Sequence, residues 1–362
     1  MIPPGAPLAL LMHDELVARP GRPYAGKMGL GLLRYSPNPV AAVLDESAAG
    51  RDLVAITGIA KPAPIVSTVA QATAAGAQVL VIGVATVGGV LPPRYRADVA
   101  DALRAGMSIV NGLHIVLNDD AELTALVPPG AFIWDVRREP AGLMPGTGAA
   151  AALSVPRVLT VGTDMAIGKM TASLELDRSA RARGLRSRFL ASGQIGMCIA
   201  GDGIPLDAVR VDFAAGAVEQ LVLRHADAHD VLWVEGQGSI LHPASTAWLA
   251  LLRGSCPTQL VLVHRAGQTR VAREPVPMPP LRAVADLYES VASVAGANPG
   301  PKVVGIALNC GHLDDAGAAA AVAASEAETG LPTVDVIRTG ADRLLDAVLE
   351  AQPRSRLDDT VR

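Results

Sequence analysis

Arg157-Val158-Leu159-Thr160-Val161-Gly162-Thr163-Asp164-Met165-Ala166-Ile167-Gly168-Lys169-Met170-Thr171 is the stretch on which the fold turns. It reads as an apolar strand, a glycine-bounded loop and a Gly-Lys pair opening a helix that runs through 170–183 to Gly184. Such a loop aims backbone N–H groups and the positive helix end at an anion, and the lysine adds a point charge. A cation at a helix N-terminus is unfavourable unless an anion lies nearby. Gly162, Thr163, Asp164, Ala166, Ile167, Gly168, Lys169, Met170 and Thr171 are therefore expected to hold a phosphate or diphosphate. Two departures narrow this reading. Five residues separate Gly162 from Gly168, where four are usual. Met170 stands where Ser or Thr normally holds Mg²⁺, and the hydroxyl comes one position later, at Thr171. The loop looks able to bind a diphosphate but poorly equipped to hold the metal of nucleotide hydrolysis.

Outward from this loop, the chain is long enough, at 362 residues, for two domains. Half of it is hydrophobic and only 3% aromatic, which suits α/β layers with small, closely packed helices. A net charge of −4, no basic patch and few stacking side chains argue against nucleic acid. No apolar run reaches membrane-spanning length unbroken. Asp14 and Glu15 interrupt an N-terminus that lacks a basic leader, so no signal peptide is read. Cys198, Cys256 and Cys310 are far apart and fit neither a metal site nor a disulfide framework. They are expected to be small buried hydrophobes in a reducing cytoplasm, and no metal ligand set is expected.

Before the loop, apolar runs at 40–45, 79–84, 108–112 and 132–136 read as strands, with a helix at 94–105. Beyond it, strands are expected at 187–191, 231–234, 260–263, 303–308 and 333–337, and helices at 212–225, 280–295 and 316–329. A proline-dense loop at 275–280 can continue neither neighbour. The Gly/Ala/Pro-rich stretch near 140–156 divides the chain into 1–140, a linker at 141–156, and 157–362. The expected fold class is α/β, with mainly parallel sheets in both domains and ligand loops at strand C-termini.

Glu235 ends the apolar run 231–234 and is followed by Gly236, Gln237 and Gly238, so a ligand is expected to approach the backbone there. A carboxylate at this edge can accept a proton or hold a substrate amine. Asp202 lies between Gly201 and Gly203, and His242 in the loop after Glu235. Glu235, His242 and Asp202 are the candidate catalytic residues, and the sequence leaves open which is the base. His264, Arg265 and Gln237 are candidate substrate contacts, Arg265 as a planar clamp for a carboxylate. Ser239 lacks the strand-to-helix elbow of a serine nucleophile.

The loop Gly162–Lys169 and the strand end Glu235-Gly236-x-Gly238 resemble those of dethiobiotin synthetase. Over its whole length, the chain resembles a bacterial family that joins an N-terminal Rossmann-like domain to a C-terminal P-loop NTPase-like domain. The stretches that carry this are Leu33-Arg34-Tyr35-Ser36, Val81-Ile82-Gly83-Val84, Asn111-Gly112-Leu113-His114, the 162–171 loop, Gly201-Asp202-Gly203-Ile204-Pro205, Val234-Glu235-Gly236-Gln237-Gly238 and Leu241-His242-Pro243. The characterised activity of that family is D-glutamate N-acetyltransferase. The resemblance implies an acetyl-CoA-dependent N-acetyltransferase acting on a free amino acid, an acidic D-amino acid such as D-glutamate. A P-loop can hold coenzyme A phosphates without Mg²⁺, because no phosphoryl group is transferred. The alternatives are an ATP-dependent kinase or ligase, with ATP and Mg²⁺ in the loop, and a non-catalytic nucleotide- or CoA-binding module. A homo-oligomer is expected, with the first domain chiefly packing and oligomerising.

Overall fold

The computed structural model describes residues 1–17, 26–271, 276–293 and 300–351. They fall into two compact units, 1–139 with 194–208, and 140–193 with 209 onward.

In the first unit β1 (Leu8–Leu11), α1 (Lys27–Tyr35), β2 (Val40–Leu44), α2 (Leu53–Thr57), β3 (Ile65–Val66), α3 (Val69–Ala74), β4 (Val79–Ile82), α4 (Pro93–Arg104), β5 (Ser108–Asn111), α5 (Ala121–Thr124) and β6 (Ile133–Asp135) alternate. The sheet is wholly parallel, in the order β3-β2-β1-β4-β5-β6. This is the order of the Rossmann fold. Every residue of β1 and β4 is buried, as strands covered by helices on both faces must be. The expected strands at 40–45, 79–84, 108–112 and 132–136 are β2, β4, β5 and β6, and the 94–105 helix is α4. The described residues directly after β1, 12–17, contain no glycine, and the Asp45 carboxylate accepts the N–H groups of Asp14 (3.2 Å) and Leu16 (3.3 Å) there.

The second unit contains β7 (Arg157–Gly162), α6 (Lys169–Ala182) and β8 (Ser187–Leu190). The chain then passes through α7 (Gln194–Ala200), which belongs to the first unit, and returns as α8 (Val211–Ala226), β9 (Val231–Val234), α9 (Ala247–Ser255), β10 (Gln259–Arg265), α10 (Leu281–Ser293), β11 (Lys302–Asn309), α11 (Asp315–Thr329), β12 (Thr333–Val334) and α12 (Asp342–Glu350). This sheet is also parallel, in the order β12-β11-β10-β7-β9-β8. The phosphate-loop strand β7 thus runs between β9 and β10, buried along its whole length. The expected strand at 333–337 stops at Val334, because the Asp335 carboxylate accepts the N–H groups of Ile337 (3.0 Å) and Arg338 (3.2 Å) and turns the chain. Part of the expected 275–280 loop and the last two residues of the 280–295 helix lie outside the described residues.

Two features depart from the simple division at 141–156. Residues 194–208 leave the second unit for the first, where Arg137 receives them by pairing with Asp207 while its Nε donates to Gly112 O at 2.8 Å. The expected linker is largely packed structure. Thr147 donates from N and Oγ1 to Glu219 (2.8 and 2.9 Å), and a Cβ added to Gly216 would fall 1.8 Å from Met144 O. No helix among the described residues is long and apolar enough to cross a membrane.

Arg157 begins β7 and is 1% exposed. Its guanidinium donates to the carbonyls of Leu153, Val155, Ser255 and Cys256 at 2.7–3.0 Å, so one buried cation ties the entry segment and the end of α9 to the central strand. Arg157→Met keeps much of the volume and removes every donor. It is expected to lower stability by about 2–4 kcal/mol, the range for buried acceptors left unpaired. Urea unfolding measures this, and an unchanged midpoint would show that the carbonyls find other partners.

Candidate active site

In a parallel α/β sheet the strand C-termini share one edge, and the loops leaving it form the ligand crevice. In the second unit this edge carries the 163–168 loop after β7, Ser192 after β8, Glu235 after β9, His264 and Arg265 at the end of β10, and Asn309 at the end of β11.

The loop is held from every side. Ala166 (φ 56°) and Gly168 (φ 118°) take left-handed backbone, which folds the loop back over β7 before α6 begins at Lys169. Asn309 Nδ2 donates to Ile167 O at 2.9 Å, and Tyr288 OH donates to Gly162 O at 2.8 Å. Thr163 Oγ1 lies 2.9 Å from His264 Nδ1. Asp164, fully buried, accepts from Met165 N at 2.6 Å and from the Gln268 side chain. The first amides of α6 have no acceptor within the helix, so they remain donors for an anion.

Lys169 is 6% exposed, and its Nζ donates to Asp164 O at 2.7 Å. Burial pulls its pKa down to about 8, while the Asp164 and Glu235 carboxylates oppose that fall. Met170 and Thr171 are half-buried in the first turn of α6.

Glu235 is 6% exposed. One carboxylate oxygen, Oε2, accepts the N–H groups of Ser192 (2.8 Å) and Gly193 (3.2 Å), and Ser192 Oγ returns a bond to Glu235 O at 2.8 Å. The Gln237 amide donates to Ser192 O, fastening the loop after β9 to the end of β8. Thr160 Oγ1 accepts from Gly236 N at 2.9 Å and lies 3.0 Å from Ser173 Oγ, so β7, β9 and α6 meet at one hydroxyl pair. The two glycines after Glu235 are also required by the protein's own packing. A Cβ on Gly236 would fall 1.7 Å from Thr160 O, and one on Gly238 would fall 1.6 Å from Ser245 Oγ.

Of the residues chosen from sequence, the loop, Glu235, Gln237, His242, His264 and Arg265 all lie in this unit. His264 is buried against Thr163, and burial takes its pKa down to about 4, so it supports the loop as a neutral ring. Arg265 is exposed at the strand end, free of that packing. Asp202 belongs to the first unit, where its carboxylate accepts from Gly203 N at 2.8 Å. Sequence reasoning missed Thr160, Ser192 and Tyr288. A hydroxyl inside an apolar strand marked Thr160, and the Ser-Gly step after β8 marked Ser192. Tyr288, one of four tyrosines in the chain, carried no local signal. Among the described residues no group of three or more His, Cys, Asp and Glu is arranged to hold a metal.

Comparison with known proteins covers both units. Residues 46–139 match the family described as DUF1611_N, a Rossmann-like domain, and residues 144–345 match DUF1611_C, a P-loop domain. The chain is 36% identical, over 90% of its length and 94% of the relative's, to a protein of Tritonibacter scottomollicae named D-glutamate N-acetyltransferase. A protein of the same name from Pseudoalteromonas sp. is 33% identical over 77% of this chain and 83% of its own. A DUF1611 family protein from Anabaena variabilis ATCC 29413, known from its crystal structure, is 56% identical, with a TM-score of 0.91 over 95% of this chain and 99% of that one.

Lys169 opens α6 with its Nζ held inside the loop, so it is expected to pair with a phosphate bound there. Lys169→Ala is expected to weaken binding of a diphosphate-bearing ligand by about 1.5–3 kcal/mol, as for loss of a charged hydrogen bond. Only the protonated amine attracts phosphate, and in the empty loop its pKa is about 8. Affinity is therefore full below that pH and falls by up to about tenfold per unit above it, since each pKa unit is about 1.4 kcal/mol. Titration calorimetry with CoA and with ATP from pH 6.5 to 9.5 reads both effects. A flat profile in wild type, or unchanged affinity in a folded Lys169→Ala protein, would remove this loop as the anion site.

Proposed function

The chain belongs to the DUF1611 family, and on that premise we propose that it is an acetyl-CoA-dependent N-acetyltransferase acting on a free amino acid, in the first place D-glutamate. The observation that carries this reading is the phosphate loop itself. Lys169 and the start of α6 are built for an anion, while the position after the lysine is an apolar Met170. Such a loop suits a coenzyme whose diphosphate is gripped but never cleaved. The names of the two relatives support the same reaction.

In this reading the loop residues from Gly162 to Thr171 take the CoA phosphates. Arg265, exposed at the end of β10, is the clamp for a substrate carboxylate, with Gln237 and His264 nearby on the edge. Glu235 is the general base. Two backbone N–H groups orient it through Oε2, and its carboxylate takes a proton from the substrate ammonium. The freed amine attacks the thioester carbonyl carbon, the N–C bond forms and the C–S bond breaks. The nitrogen, positive after the attack, gives up its second proton as the C–S bond breaks; CoA leaves as the thiol with that proton, and Glu235 returns the first to solvent. His242, in the same unit, is the reserve candidate for the base.

One observation favours a second reading. Glu235 ends the strand beside β7, where P-loop nucleotide enzymes place a metal-holding acid, and Thr171 supplies a hydroxyl nearby in sequence. An ATP-dependent kinase or ligase would use both with Mg²⁺. A binding module without turnover is the third possibility.

A thiol-release assay with acetyl-CoA and a panel of D- and L-amino acids separates them. Thiol release with D-glutamate is expected. Amine-dependent ADP or phosphate formation from ATP without thiol release would transfer the protein to the second reading, and tight ligand binding without turnover to the third. Glu235→Gln is expected to lower kcat by about 10²–10⁴-fold, the span of general-base loss, with CoA affinity nearly intact. Wild-type kcat in that variant would reassign the base.

A further inference from the structure

The loop between β9 and α9 carries His242 and is bonded closely to itself. Leu241 N donates to Ser239 Oγ (3.1 Å), His242 N to Ser239 O (3.2 Å) and Ser245 N to His242 O (3.2 Å). Trp248 Nε1 closes the far side on Ser245 O at 3.1 Å. Within this turn Ala244 N donates to His242 Nδ1 at 3.1 Å. A neutral imidazole has one acceptor nitrogen and one N–H. With Nδ1 accepting an amide, the proton belongs on Nε2. In that tautomer the ring presents Nε2–H as its one donor.

A second tether joins this loop to the phosphate loop. Tyr288, fully buried on α10, receives the Ile240 N–H at 2.9 Å and donates its own proton to Gly162 O at 2.8 Å. Its ring stands edge-on to Trp248, with centroids 6.5 Å apart. One hydroxyl thus spans the last residue of β7, where the anion loop begins, and the residue two before His242.

We infer that His242 serves as a neutral hydrogen-bond donor through Nε2–H, not as the base, and that Tyr288 is the positioning residue that fixes its loop against the root of the phosphate loop. The inference rests on the acyl-transfer reading and assigns His242 to the carbonyl oxygen of the thioester. As the amine nitrogen bonds to the carbonyl carbon, the π pair moves onto that oxygen and the Nε2–H bond to it strengthens. When the C–S bond breaks the pair returns, and His242 neither gains nor loses a proton. Glu235 is left as the sole proton acceptor of the pair.

Histidine ¹⁵N NMR on the full chain, with His242→Gln used to assign the signal, reads the tautomer without any activity. An unprotonated Nδ1 and a protonated Nε2 are expected near neutral pH, and a protonated Nδ1 would overturn the inference. In kinetics, His242→Gln retains a side-chain N–H and is expected to keep kcat within about tenfold of wild type. His242→Ala is expected to lose about 10²–10³-fold, the usual cost of an oxyanion donor. A base role requires Gln to be as poor as Ala. A donor to the substrate carboxylate would instead raise the amino-acid KM at unchanged kcat. Either result rejects the assignment. Tyr288→Phe keeps the ring and removes the tether. It is expected to lower kcat about tenfold with the acetyl-CoA KM within about threefold, to mix the His242 tautomers, and to add nothing to His242→Ala in the double variant. Effects that multiply, or a wild-type spectrum and kcat in Tyr288→Phe, would reject the positioning role. If the wild type releases no thiol with any amine, the acyl-transfer reading and the donor role fall together. The tautomer in Tyr288→Phe still decides whether the tether acts on His242.

Discussion

A buried ammonium is the constraint around which the second unit is built. Taking a lysine out of water is costly, and an unpaired one gives up its proton instead. Lys169 stays near its charged form because Asp164 O, the Asp164 carboxylate and Glu235 stand close, yet its pKa is drawn down by burial. That balance needs a rigid frame. β7 is central and wholly buried, Gly236 lies against Thr160 O where no side chain would fit, and Asn309, Tyr288 and Thr163 each fasten a different point of the loop. Take any of these away and the lysine regains water, losing the strength that a low-dielectric site gives its charge.

The same frame explains what could be read from sequence. The strand-loop-helix at 157–171 was legible because its signal is local: an apolar run, two glycines, a lysine at a helix start. β9 was legible to the residue, since a fully buried parallel strand is a plain apolar run with clear ends. β1 was not, being four residues behind a proline-rich start. α7 was not, because Gln194-Ile195-Gly196 reads as a continuation of the glycine-rich turn, and only packing in the first unit makes it a helix. Glu235 was chosen for its strand end and does stand at the sheet edge. The glycines that follow it have a further cause that the sequence does not show, the close approach of Thr160 and Ser245. Such reasons live in tertiary contacts and leave no mark on the local pattern.

The first unit shows how little a strand order says about a ligand. Its sheet follows the Rossmann order, but the described residues directly after β1, 12–17, contain no glycine. His13 is packed there: its Nδ1 accepts from Glu46 N at 3.2 Å, its Nε2 faces Asp98 at 3.2 Å, and Tyr95 OH donates to its carbonyl at 2.9 Å. The Asp45 carboxylate takes the amides of Asp14 and Leu16, so those two donors are bound to a protein group. In the second unit the first amides of α6 have no acceptor within their own helix.

The acyl-transfer reading asks the edge residues of the second unit to divide their labour. A site that must deprotonate an amine and also steady a carbonyl oxygen needs one group that accepts a proton and another that keeps its own. Two histidines lie at this edge: burial beside Thr163 takes the His264 pKa down to about 4, and His242 accepts the amide of Ala244 at its Nδ1. A neutral His264 adds no positive charge to compete with Lys169 for an anion. Glu235 Oε2 is oriented by two backbone N–H groups, and its carboxylate stands close enough to Lys169 to oppose the fall in that lysine's pKa. The polar atoms of the edge are thus sorted by their hydrogen-bond partners, with one lysine inside the loop, one carboxylate anchored on the backbone, and a neutral His264 beside them.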